Sequence, residues 1–267
     1  IVAEKSRGPR ADAPWAVSAI GRESILFGNE HRHGTIDDLT VPRLVSMFGQ
    51  AFDDPGSTSL AEIMTPLSYE QFPYVESPFE ELSRTFALMG DPTLGPVIDW
   101  SEVFGVDLES AIRATFVLRV WVQQNGGRYD PGILDLPHMT EVFERAAPRH
   151  EIEMIAAALT TTVNDAKAAN AEVAPLPPEK QRFSFNPLFA SPLVDLGDRG
   201  TWAPQTSLVD RALYPSNLYY RGIKKWGKSF TDALGQRTEA YVGRNLALIA
   251  HEQDLHSEIT YWEGKRK

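Results

Sequence analysis

Apolar positions recur at helical spacing along most of this chain, and local start and stop signals divide them into separate helices. Thr40-Val41-Pro42 opens a helix that runs to about Phe52, because a proline in the first turn needs no backbone donor; Asp53-Asp54-Pro55-Gly56 closes it as a turn. Ser59 with Glu62 is a capping pair for a short second helix that ends before Pro66. Ser77-Pro78-Phe79-Glu80 combines a cap, a first-turn proline and a reciprocal Glu. From there Phe79, Leu82, Phe86 and Met89 fall on one face, with Gly90 as a left-handed stop.

Asp99 with Glu102 repeats the capping pattern for a short helix ending at Gly105. A longer helix follows from about Leu108 to Gln124. Its stretch Phe116 to Val122 is apolar almost all the way round, which makes it the expected centre of the core. Gly126-Gly127 ends it. Another helix starts near Pro137, and a further one from about Arg149 places Ile152, Ile155, Leu159 and Val163 on one face.

Ala174-Pro175-Leu176-Pro177-Pro178 reads as a linker, and the texture changes after it. Phe183 to Leu188 alternates like an extended segment. Pro192 to Leu196, the turn Gly197-Asp198-Arg199-Gly200 and Thr201-Trp202-Ala203 form a small β-hairpin. Helices resume near Ser207 and at Phe230. The expected fold is mainly α: a multi-helix body with a small β-hairpin and the start of a C-terminal α/β domain. The expected divisions are an N-terminal segment 1–39, a helical domain 40–173, a linker 174–182, a hairpin and helical connector 183–228, and the C-terminal region 229–267.

Composition narrows the functional classes. At 267 residues with 42% hydrophobic content the chain can bury one large core or two ordinary ones, and no stretch has the length of a membrane span. It has no cysteine, which excludes disulfides, thiolate metal sites and a cysteine nucleophile and fits a cytoplasmic protein. The net charge of −10 is unevenly placed: residues 221–267 carry nine basic and six acidic groups, so the first 220 residues hold 17 and 30. That asymmetry points to two kinds of partner. DNA or RNA would meet the basic C-terminal end, at Arg221, Lys224, Lys225 and Lys228, with Tyr219, Tyr220 and Trp226 available for stacking. A basic protein would meet the acidic body.

Motifs for catalysis are sparse. His31-Arg32-His33 with Asp37 and Asp38 has metal-ligand residue types, which makes a metal-dependent hydrolase an alternative, but the flanking Gly28, Asn29 and Gly34 place it in a loop. His251 and His256 are five apart, one position beyond the spacing of the zinc-protease helix, which turns the second ring away by a further ~100°. Glu263-Gly264-Lys265 has the Glu-x-Lys form in which a carboxylate holds Mg²⁺ and the lysine steadies the attacking water. No phosphate loop, nucleophile elbow or dinucleotide fingerprint is present.

The segment Gly235 to Val242, continuing to Leu246 and Ile249, resembles the first helix of restriction-endonuclease-like nucleases of the PD-(D/E)XK class. The resemblance implies that Glu239 is the helix carboxylate, that Glu258 to Trp262 is the first strand, and that Glu263 and Lys265 are site residues. By helical spacing Leu234, Tyr241, Val242, Leu246 and Ile249 form the expected buried face, with Glu239 on its flank. Tyr69 to Pro73, Phe185 to Leu188 and Ser191 to Val194 resemble the helical region that bacterial proteins place before such a nuclease. The strands that carry the metal ligands are absent from this chain, so a Mg²⁺ cofactor is expected only if a complete nuclease domain follows Lys267. The chain itself then reads as a helical recognition or regulatory module without catalytic competence.

Overall fold

The computed structural model describes residues 14–28, 39–52, 77–137, 139–173 and 185–251. Among them are eleven α-helices and four short strands. The helices are α1 (Pro14–Phe27), α2 (Thr40–Phe52), α3 (Pro78–Thr85), α4 (Ser101–Phe104), α5 (Leu108–Gln124) and α6 (Met139–Arg145). After these come α7 (Arg149–Ala158), α8 (Val163–Ala171), α9 (Leu208–Arg211), α10 (Pro215–Trp226) and α11 (Lys228–Leu246). The mainly α fold with a small β element is the one the hydrophobic pattern predicts.

The middle of the chain has its helices where the pattern predicts them, but Asp99 is not the cap of α4: Trp100 holds that position without a side-chain cap, and Asp99 accepts from the Ser101 amide at 3.1 Å. Asp107 caps α5, its carboxylate accepting from the Ser110 amide at 2.9 Å. The helix then runs through the core with Ala111, Ala114, Leu118 and Val122 fully buried. It packs chiefly on α7, whose Ile152 and Ile155 are also fully buried. Gly105, Gly126 and Gly127 take positive φ of 77°, 62° and 97°, where a side chain would be strained.

Several local expectations are corrected. Ser77 makes no side-chain cap, and Phe79 is 72% exposed, so the buried residues of α3 are Glu81, Leu82 and Thr85. The helix continues as a π-turn, Phe86–Gly90, and Gly90 is not left-handed. Its lack of a side chain answers a different need, because a Cβ there would stand 2.7 Å from the Phe86 ring. The helix of Arg149 stops at Ala158; Leu159 is buried, and Val163 belongs to α8.

Between them lies β2 (Thr160–Thr162), which pairs in parallel with β3 (Leu193–Asp195). The predicted hairpin exists as β3 and β4 (Thr201–Trp202), and β1 (Arg128–Tyr129) adds to its other side. The sheet order is β1-β4-β3-β2, so hydrogen bonds tie together segments on both sides of the Pro-rich linker. One hydrophobic core likewise runs from Leu82 to Phe230 and draws on residues both before and after 174–182.

α11 lies on this same body. Phe230 is buried against Trp100 and Trp226, with ring centroids 6.0 Å away in both pairs. Of the face expected to be buried, Leu234 packs on the core and Tyr241 is half-buried, but Val242, Leu246 and Ile249 are 47%, 42% and 84% exposed. The deepest contact comes instead from Arg237, 1% exposed, whose guanidinium reaches three backbone carbonyls. Nε donates to Leu88 at 2.8 Å, Nη1 to Pro96 at 2.9 Å and Nη2 to Asp91 at 2.6 Å. Arg244 pairs with the Asp91 carboxylate at 2.7 Å, one more tie between α11 and the loop after α3. The capping pair Ser59/Glu62 and the strand Glu258 to Trp262 lie outside the described residues.

Candidate functional site

Two regions bear on function: the basic stretch of α10 and α11, and an acidic cleft at the far end of the sheet. α10 is an amphipathic helix with Pro215 in its first turn and Leu218 and Gly222 turned inward. Gly222 admits the Phe230 ring, which would meet an added Cβ at 2.4 Å. That close approach seats α10 and α11 against each other and fixes where their cations point.

Arg221 turns inward. Its Nη2 donates to the Ala190 carbonyl, its guanidinium lies 5.4 Å from the Phe104 ring centroid, and burial pushes its pKa down from the usual arginine value. Lys225 pairs with Glu102 at 3.3 Å, and Lys228 with Asp232 at 2.6 Å. Lys224 is exposed, one turn from Tyr220, which is 70% exposed. Trp226 packs on Trp100 and Phe230, and Tyr219 on Phe230, within the aromatic cluster. The structure therefore brings Lys224, Lys225 and Tyr220 to one exposed helix, interleaves acidic partners, and withdraws Arg221 and Trp226 from it.

Glu239 is exposed on α11. Glu263 and Lys265 lie outside the described residues, as do His31, His33, Asp37, Asp38 and His256. Among the described residues no group of three or more His, Asp or Glu side chains is placed to hold a metal ion.

No sequence motif marks the second region. An open cleft of about 410 Å³ is lined by Tyr129 on β1, Glu153 and Ala156 on α7, Thr160 to Thr162 on β2, Asp165 on α8 and Asp195 at the end of β3. Among the described residues its lining includes no Lys, Arg or His. Each carboxylate is oriented locally. Asp165 accepts from the Thr162 hydroxyl at 2.8 Å while its own amide donates back to that hydroxyl at 3.1 Å. Asp195 accepts from the Gly197 amide at 2.9 Å, and Glu153 from Arg149 Nε at 2.7 Å. The Tyr129 phenol sits partly buried, and burial pushes its pKa up, with the charge of Glu153 adding to the effect. The arrangement offers acceptors and negative charge, suited to a cationic group. Among the described residues its carboxylates do not form a group placed to hold a metal ion.

This constellation is hard to see in one dimension, since its members span 129 to 195 and meet only because β2 pairs with β3. The one sequence signal is the Thr-Thr-Thr run at 160–162, which breaks the helical periodicity.

Among the described residues no helix is long and apolar enough to cross a membrane. The chain matches no family model, and no significant similarity to a curated protein or a solved structure was found.

Proposed function

We propose that this chain is a helical recognition module, without catalysis of its own, that takes a basic protein surface at its acidic cleft. The observation that carries the reading is the contrast between the two charged regions. The cleft presents Asp165 and Asp195 without an ion-pair partner among its described lining residues, and Glu153 paired with Arg149 from outside the lining. The basic stretch is interleaved with Glu102 and Asp232, and Arg221 faces inward. A polyanion approaching α10 would have to displace those ion pairs against the repulsion of an acidic body.

The test is a titration at low salt of a Lys/Arg-rich peptide and, separately, of single- and double-stranded oligonucleotides. Peptide binding is expected to weaken with salt and to be lost in the Glu153→Gln/Asp165→Asn/Asp195→Asn protein. It should persist in a control carrying Glu80→Gln, Glu109→Gln and Glu141→Gln, exposed carboxylates outside the cleft. Equal loss in the control would reduce the effect to net charge. Oligonucleotide binding tighter than peptide binding, and abolished by Lys224→Ala/Lys225→Ala/Lys228→Ala, would replace this reading with the nucleic-acid one.

A further inference from the structure

The interior between α5, α9 and α3 holds a carboxylate with few partners. Asp210, on α9, is fully buried, and neither of its oxygens accepts a hydrogen bond from any described residue. One cation approaches it: Arg119 Nε, on α5, lies 2.9 Å from Oδ2 in a direction that gives a charge contact without a hydrogen bond. A buried carboxylate stays ionised when two or three aligned N–H donors serve it, and here they are missing. Thr115, one turn before Arg119, is buried as well, with no hydrogen bond to its hydroxyl.

The remaining charged and titratable groups converge on Tyr214, just after α9. Asp210 and Glu81, the latter from α3, push its pKa up beyond the effect of burial, while Arg211 and Arg119 oppose them. The 3₁₀ turn Pro187–Phe189, which also packs on α9, has no titratable side chain. The two members of the ion pair differ in access to water: the Arg119 side chain is 22% exposed and that of Asp210 only 1%. Arginine can carry its charge outward along its own stem; the aspartate can shed its charge only by binding a proton.

We propose that Asp210 and Arg119 form a proton-operated latch between α9 and α5. Ionised Asp210 holds the Arg119 guanidinium inward, and a proton taken from solvent neutralises Asp210 and frees the guanidinium to move out into water. Burial pushes the Asp210 carboxyl up to about 7, with the charge of Arg119 offsetting some of that rise. The folded value thus lies above the unfolded one of ~3.9, and the native state holds an extra proton between the two. The stability this proton confers is complete below ~4 and is lost as pH rises through about 7. The closed latch is therefore the state of higher pH and of lower global stability.

The experiment follows ¹³C-labelled Asp carboxyls and the Arg119 Nε–Hε resonance of the whole chain from about pH 4 to about pH 9. One carboxyl is expected to titrate near 7, to vanish in Asp210→Asn, and to share its midpoint with the Arg119 shift. The unfolding constant in urea should rise by up to ~tenfold per pH unit through this window, relative to Asp210→Asn. Should Asp210→Asn not fold, Arg119→Gln serves instead, by raising the midpoint of the same carboxyl. Titration of every Asp below about pH 5 would overturn the latch. So would an Arg119 resonance that ignores the buried carboxyl, or a midpoint unmoved by Arg119→Gln.

Discussion

Arg237 offers the sharpest test of how α11 is held. Its guanidinium is 1% exposed and donates to the carbonyls of Leu88, Asp91 and Pro96 at 2.6 to 2.9 Å. Arg237→Met keeps much of the side-chain volume and removes all three donors. The Asp91 carbonyl retains the Leu94 amide at 3.3 Å, so the variant chiefly deprives Leu88 and Pro96. Hydrogen bonds from a charged donor contribute ~1.5–3 kcal/mol each, and shedding the buried charge returns some of that. The net loss is expected at ~3–5 kcal/mol, a large share of the ~5–15 kcal/mol of a typical domain. Arg237→Lys should recover less than half, because one ammonium cannot span three carbonyls placed for a planar fork. Urea unfolding reads the result, with the midpoint falling by ~1 M or more at an m-value of ~3 kcal/mol/M. A loss under ~1 kcal/mol at unchanged m would show that α11 is held by its apolar contacts and that the carbonyls have no need of Arg237.

Three further outcomes are expected. Trp121→Ala should cost ~3–5 kcal/mol in the same assay, since the ring is 5% exposed and packs edge-on against Tyr129; a loss below ~1 kcal/mol would undo its place in the core. Gly222→Ala should destabilise by ~1–3 kcal/mol, because the new methyl meets the buried Phe230 ring at 2.4 Å, and a neutral result would mean that α10 and α11 separate easily. The chain should not cleave DNA or RNA with Mg²⁺ or Mn²⁺; copurifying activity that disappears in Glu263→Ala would establish Glu263-Gly264-Lys265 as a metal site.

What could be read from the sequence depended on whether a residue's role was set by its neighbours in the chain. α2 and α5 are bounded by local signals, a first-turn proline for one and the Gly126-Gly127 stop for the other, and both appear where the pattern places them. The β3–β4 hairpin is set by its turn, with Gly197 and Gly200 at positive φ. β1 and β2, by contrast, have two and three residues and no period of their own; each is a strand only because a distant partner accepts it. α1 opens on Pro14, a first-turn proline of the kind that marks α2, so its start was legible too, and Ala16, Ala19 and Leu26 are buried in it. Apolar patterning also misassigns α11, where a charged residue takes the deepest position and Val242 and Ile249 stay outside. No periodicity rule places an arginine inside, since the carbonyls that receive it lie some 140 residues earlier in the chain. The acidic cleft is hidden for the same reason as β2.

The sheet also constrains the order in which this protein can assemble. β3 and β4 are joined by five residues, a loop that closes in well under a microsecond and yields a hairpin in ~1–10 μs. β1 must find β4 from 74 positions away, at an entropic cost of about 2 kcal/mol beyond that of the hairpin turn. Two residues of ladder cannot repay that alone, and an isolated hairpin is marginal in water. The helical pair α5 and α7 is expected to condense first, because α5 ends four residues before β1 begins and α7 two before β2, which would deliver both strands to the hairpin already positioned. Pairing thus completes a nucleus made elsewhere, and the cleft beside Tyr129 comes into being only in that final step.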